Sequence, residues 1–123
     1  MSVIYYNSMN NNTGRRLQKI FEREVSGKKI ESCQSIDELS TRLNQLNLEN
    51  NIAILLISVI AEIYQISSIK KSLNNVRIIL ILPDRSAEIV SAGYKLHPRF
   101  ISYADSDFKD VAIVLKRMIK LAE

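Results

Sequence analysis

At 123 residues, 46% of them hydrophobic and 24% charged, the chain is long enough to build one packed core and too short for two, and its composition is not that of a disordered polymer. Seventeen Lys and Arg against thirteen Asp and Glu give a net charge of +4, but the cations come in pairs such as Arg15-Arg16 and Lys70-Lys71, without the basic runs of a nucleic-acid arm or a membrane patch. One cysteine, Cys33, excludes an internal disulfide, and the longest apolar run, Ile52 to Ile57, is too short to span a bilayer, so residues 1–123 read as one soluble, unexported, cytoplasmic domain.

Strand-length apolar runs alternate with helical patterns along the whole sequence. The first strand is expected at Val3 to Tyr6, followed by a helix with Thr13 as N-cap, an apolar stripe of Leu17, Ile20, Phe21 and Val25, and Gly27 as its stop. A second strand at Ile30 to Cys33 leads into a helix opening on Ser35-Ile36-Asp37-Glu38, a capping-box pattern, with Leu39, Leu43 and Leu46 on its buried face.

Ile52 to Ile57 and Val76 to Leu82 are almost uniformly apolar, as expected of central parallel strands covered on both faces. Between them a third helix carries Ile60, Ile63, Tyr64, Ile66 and Ile69. A fourth carries Ala87, Ile89, Val90 and Ala92, with Gly93 as its end. After a fifth strand at Phe100 to Tyr103, Ser106 and Asp107 are cap candidates for a last helix with Phe108, Val111, Leu115, Met118, Ile119 and Ala122 on one face and Lys109, Lys116 and Lys120 outward. Five such βα units predict an α/β fold, a doubly wound five-strand parallel sheet in the flavodoxin-like order 2-1-3-4-5, with functional groups at the carboxyl ends of the first and third strands.

The VIYYNS opening, AILLIS in the third strand, RIILILP in the fourth, SAGYK after it and RFISYAD before the last helix together resemble the receiver (CheY-like) family of two-component response regulators. The resemblance implies a phosphoacceptor aspartate ending the third strand, a magnesium-binding acidic pair ending the first, a Ser or Thr ending the fourth and a Lys ending the fifth. Those places map here to Ser58 (or Ile57), to Asn7 and Ser8, to Leu82 and to Tyr103. The expected pocket therefore has no carboxylate, holds no metal or cofactor, and lacks the nucleophile, the metal site and both phosphate contacts together.

Other candidates are weaker. Ser58 has no neighbouring base and reads as a helix cap. Cys33 ends the second strand, whereas phosphocysteine carriers place theirs in the loop after the first, at Asn7 to Asn10 here. The three glycines are too scattered for a phosphate cradle. His97 has no partner ligand in sequence, yet the KLHPRF segment lengthens the connection into the fifth strand. It puts Tyr94, His97, Pro98 and Arg99 beside the face of the fourth helix, fifth strand and fifth helix, which receivers use for dimers and partners.

The expectation is a non-enzymatic, non-phosphorylatable receiver-like signalling module with a protein partner, or a homodimer, on that face. Two alternatives stand beside it: a phosphotransfer receiver whose site residues are misaligned, and a basic nucleic-acid-binding adaptor using Arg15, Arg16, Lys19 and Arg23. A basic helix face would need stacking aromatics or a recognition helix alongside it, and the expected absence of a helix-turn-helix and of a fused output region weighs against the second.

Overall fold

The computed structural model describes residues 2–9, 11–25, 27, 29–45 and 50–122. Five strands, β1 (Val3–Asn7), β2 (Ile30–Cys33), β3 (Asn51–Leu56), β4 (Val76–Leu82) and β5 (Phe100–Tyr103), form one parallel sheet in the order β2-β1-β3-β4-β5. Helices α1 (Asn12–Glu24), α2 (Ile36–Gln45), α3 (Ile60–Ser68), α4 (Ala87–Tyr94) and α5 (Lys109–Ala122) alternate with them, and a 3₁₀ turn at Lys70–Leu73 leads into β4. This is the doubly wound fold that the alternating pattern predicts. Among the described residues no helix is long and apolar enough to cross a membrane.

Because side chains alternate along a strand, the sheet feeds two cores. Ile4, Tyr6, Ala53, Leu55, Leu80 and Leu82 face α2, α3 and α4, while Val3, Tyr5, Ile52, Ile54, Ile79 and Ile81 face α1 and α5. Every residue of β3 is buried, which is why its sequence shows no polar alternation. On the α1 side the Tyr5 ring meets Phe21 edge-on at 5.0 Å, and its hydroxyl donates to the Gly14 carbonyl at 3.1 Å. Cys33 is buried, and burial pushes its thiol up, away from reactive thiolate.

Several ends and faces differ from the sequence expectation. α1 is capped by Asn11, whose side chain accepts from the Gly14 amide at 2.9 Å; Thr13 is already inside the helix. Gly27 does follow α1 in the left-handed region, at φ 88°. For α2, Ser35 accepts from the Glu38 amide at 3.1 Å, and the Glu38 carboxylate reaches back to the Gln34 amide. Leu46 lies outside the described residues.

Tyr64 is 55% exposed and leaves the core of α3 to Ile63 and Ile66. Gly93 does not end α4, which runs on to Tyr94. A Cβ at position 93 would come within 2.9 Å of Leu80 Cδ2, so this glycine lets the helix lie close on β4. At α5 both cap candidates are used: Ser106 Oγ accepts from the Phe108 amide and Asp107 Oδ1 from the Lys109 amide, each at 3.0 Å.

Candidate functional site at the carboxyl ends of the strands

β1 and β3 run side by side, with Tyr6 opposite Leu55 and Asn7 opposite Leu56, so the residues just beyond them share one edge of the sheet. A cavity of about 610 Å³ opens there, lined among others by Tyr6, Ser8, Asp37, Ser58, Val59 and Glu62. Of the mapped receiver positions, Ser8 and Ser58 line this cavity, while Asn7, Leu82 and Tyr103 do not.

Asn7 points the other way. Its amide lies against Gly14, where a Cβ would sit 2.2 Å from Asn7 Nδ2, and its Oδ1 accepts from the Met9 amide at 3.2 Å. Leu82 is fully buried in the core beneath α4. Tyr103 lies under the Arg85 guanidinium, which is 4.2 Å from its ring centre and pairs with Asp105 at 2.7 Å. Arg85 therefore brings a cation to this end of the sheet from the loop after β4, where the end of β5 itself supplies none.

The cavity does hold a carboxylate, contrary to the sequence expectation. Glu62, at the third position of α3, is 6% exposed and accepts from Ser8 Oγ at 2.9 Å, the Ser58 amide at 2.8 Å, the Val59 amide at 3.1 Å and the Tyr6 hydroxyl. Its place follows from helix-capping chemistry: an acidic side chain in the first turn reaches back to orphan amides and sits at the positive end of the helix dipole. Strand ends alone do not point to this helix position; its signal in the sequence is a glutamate three residues after the last extended residue, Val59.

The electrostatics follow from these partners. Burial raises the Tyr6 phenol above its ordinary range, and the hydrogen bond to Glu62 raises it further. Each Glu62 oxygen accepts two hydrogen bonds, Oε1 from the two amides and Oε2 from the two hydroxyls, which occupies the lone-pair directions of a carboxylate. Magnesium, which the receiver fold implies, takes hard oxygens that are free to turn toward it. The committed Glu62, the amide of Asn7 and the hydroxyls of Ser8 and Ser58 do not supply that set. Among the described residues, no three His, Cys, Asp or Glu side chains converge on a common point.

The loop beyond β5 is fixed from α1. Arg16 donates to the Ser106 carbonyl at 2.7 Å and lies 4.8 Å from the centre of the buried Phe108 ring, and Lys116 of α5 pairs with Glu24. Of the basic residues of α1, Arg16 is thus turned to internal work and Arg23 pairs with Glu24 at 3.2 Å.

No protein-family model and no curated protein sequence matches the chain. Solved structures do resemble it. The RcsB response regulator of Salmonella typhimurium matches with a TM-score of 0.74 and 19% identity over 98% of this chain, which spans 62% of that chain. A two-component response regulator of Legionella pneumophila matches with a TM-score of 0.72 and 17% identity over 98% of both chains. The chemotaxis protein CheY4 of Vibrio cholerae matches with a TM-score of 0.69 and 11% identity, over 95% of this chain and 97% of that one. Likeness at these identities bears on architecture alone, and the architecture is the doubly wound, CheY-like flavodoxin fold.

Proposed function

We propose that the chain is a receiver-like two-component signalling module of the cytoplasm that accepts no phosphoryl group, performs no turnover and acts by binding a protein. The observation that carries this reading is Glu62, a resident carboxylate at the carboxyl ends of β1 and β3 that takes up the Tyr6 and Ser8 hydroxyls and the Ser58 and Val59 amides. Donors already engaged by an internal anion are not free for phosphoryl oxygens, and a phosphoryl group arriving beside Glu62 meets like charge with no metal ligand set to offset it. The uncharged Asn7, Ser8 and Ser58, the buried Leu82 and the Arg85-covered Tyr103 all point the same way.

The partner surface in this reading is the exposed end of α4 and its connection to β5, where Tyr94 is 63% exposed and His97 and Arg99 are exposed, with Pro98 between them. Its test is scattering-derived mass for wild type, Tyr94→Glu and Arg99→Glu; a monomer in all three removes the homodimer and leaves a second protein as the partner. The phosphorylation reading is tested by incubation with magnesium and acetyl phosphate. The expected result is an unchanged intact mass, and a phosphoprotein adduct would overturn the reading.

A further inference from the structure

At the opposite end of the sheet, the amino ends of β4 and β5 open onto a second cavity, of about 630 Å³. Four cationic or titratable side chains line it: Lys70 from the 3₁₀ turn, Arg77 from β4, and His97 and Arg99 from the connection into β5. Among the described residues that line it there is no Asp or Glu. Arg23, Arg42, Arg85, Lys109 and Lys116 each pair with a carboxylate; among the described residues Lys70, Arg77 and Arg99 make no ion pair, as is true of exposed cations such as Lys19, Lys71 and Lys120, but these three share one concavity that no carboxylate lines. Unmatched charges of one sign drawn together in a concavity repel one another and focus a positive potential, a state that an entering anion relieves.

The backbone around this cavity is unusual as well as fixed. Asn50, Asn75 and His97 all line it in the left-handed region, at φ 65°, 67° and 54°. The Arg99 amide is held by the Ile78 carbonyl at 2.8 Å and the His97 amide by the Tyr94 carbonyl at 3.0 Å, so the cations project from a pinned frame. Asn50, Asn74 and Asn75 add side-chain amides, which donate and accept, at the same rim.

We propose that this cavity binds a small polyphosphorylated anion of nucleotide size, its phosphates held by Arg77, Arg99 and Lys70 and the rest of it by the asparagine amides. Guanidinium groups match phosphate oxygens in two-point contacts, and the cavity volume falls within the range of small-ligand sites. The inference is independent of the phosphorylation reading, because it uses neither Glu62 nor any residue at the carboxyl end of the sheet.

The test is calorimetric titration of the full chain with ADP, pyrophosphate and adenosine. The expected order is ADP tighter than pyrophosphate, with no heat from adenosine. Arg77→Gln and Arg99→Gln should each weaken ADP by about tenfold or more, the loss of one charge-assisted contact. Lys109→Gln, which removes the same charge at the far end of the molecule, should leave the affinity unchanged, and circular dichroism checks that each variant is folded. Absence of heat with ADP overturns the proposal, as does equal weakening by Lys109→Gln, which would mark a general field effect. Tighter binding of a single-stranded oligonucleotide than of ADP also overturns it, in favour of a nucleic-acid surface.

Discussion

The hydroxyl of Tyr6 on β1 donates to the carboxylate of Glu62 on α3, tying two residues 56 positions apart across the mouth of the candidate pocket. Replacing Glu62 by Ala leaves the Tyr6 hydroxyl and two helix-end amides without their acceptor, and is expected to cost about 2–4 kcal/mol. Glu62→Gln should cost less, because its amide oxygen still accepts from Ser58 and Val59 while the hydroxyls turn to accept in place of donating. Tyr6→Phe removes a single donor, for about 1 kcal/mol. Urea denaturation of the three variants checks the ranking, and equal effects would contradict the assignment of Glu62 as the hub.

The same pair sets an alkaline limit. The Tyr6 phenol is raised above its ordinary 10.0 by burial and then by Glu62, and the Tyr5 phenol by burial alone. In the unfolded chain both release their protons near the ordinary value, so above it the unfolded state binds fewer protons than the folded one and stability falls as pH rises. The contribution is complete below about pH 10 and declines above it. The urea midpoint should therefore hold up to about pH 10 and fall as the pH is raised above it, and fall less in Tyr6→Phe, which cannot ionise at that position.

A double-mutant cycle tests how Asn7 is held. Gly14→Ala places a methyl against the Asn7 amide and should destabilise, whereas Gly14→Ala combined with Asn7→Ala should recover most of the loss because the obstructing group is gone. Additive effects in thermal unfolding would show that the two residues do not meet.

Gly93→Ala sets a gain against a loss. The substitution gains up to about 1 kcal/mol of helix propensity, but its Cβ meets Leu80, which is fully buried on the interior strand β4 and has little room to yield. We expect net destabilisation of about 1–2 kcal/mol, with Leu80→Ala partly relieving it.

At the surface of β5, Arg85 holds the Asp105 carboxyl below its ordinary 3.8 through their hydrogen bond. In Arg85→Ala, carbon-detected titration should show Asp105 returning toward that value. An unchanged titration would mean that the pair does not persist in solution.

The sequence made the strands legible because parallel strands buried on both faces leave uninterrupted apolar runs, and IAILLI and VRIILIL could belong nowhere but the centre of the sheet. Helix ends were harder. Thr13 and Asn11 are both competent caps, and only the reach of Asn11 to the Gly14 amide decides between them. Gly93 carried the usual sign of a helix stop, yet tight packing on Leu80 uses the same absent side chain.

The candidate site was legible in outline and not in content. The positions of Asn7, Ser8, Ser58, Leu82 and Tyr103 follow from strand register, but the direction of each side chain does not. Asn7 turns to α1 and Leu82 to the core, while Glu62 enters from a helix that register alone does not bring to the pocket. Arg85 likewise reaches Tyr103 from the adjacent loop through a contact with no signature in sequence spacing.

The amino-end cavity has a consequence for how the molecule meets others. Lys70, Arg77 and Arg99 gather at one pole of the sheet with no carboxylate lining their cavity, whereas at the other pole Asp105 and Asp107 are answered by Arg85 and Lys109. All five strands run the same way, so these cations lie together at one end of a single axis. In dilute salt a positive potential focused at one end favours approaches that present that end first to an anionic body. Encounter rates with such a body should fall as added salt shortens the reach of the field, even where the final complex is held by apolar contacts.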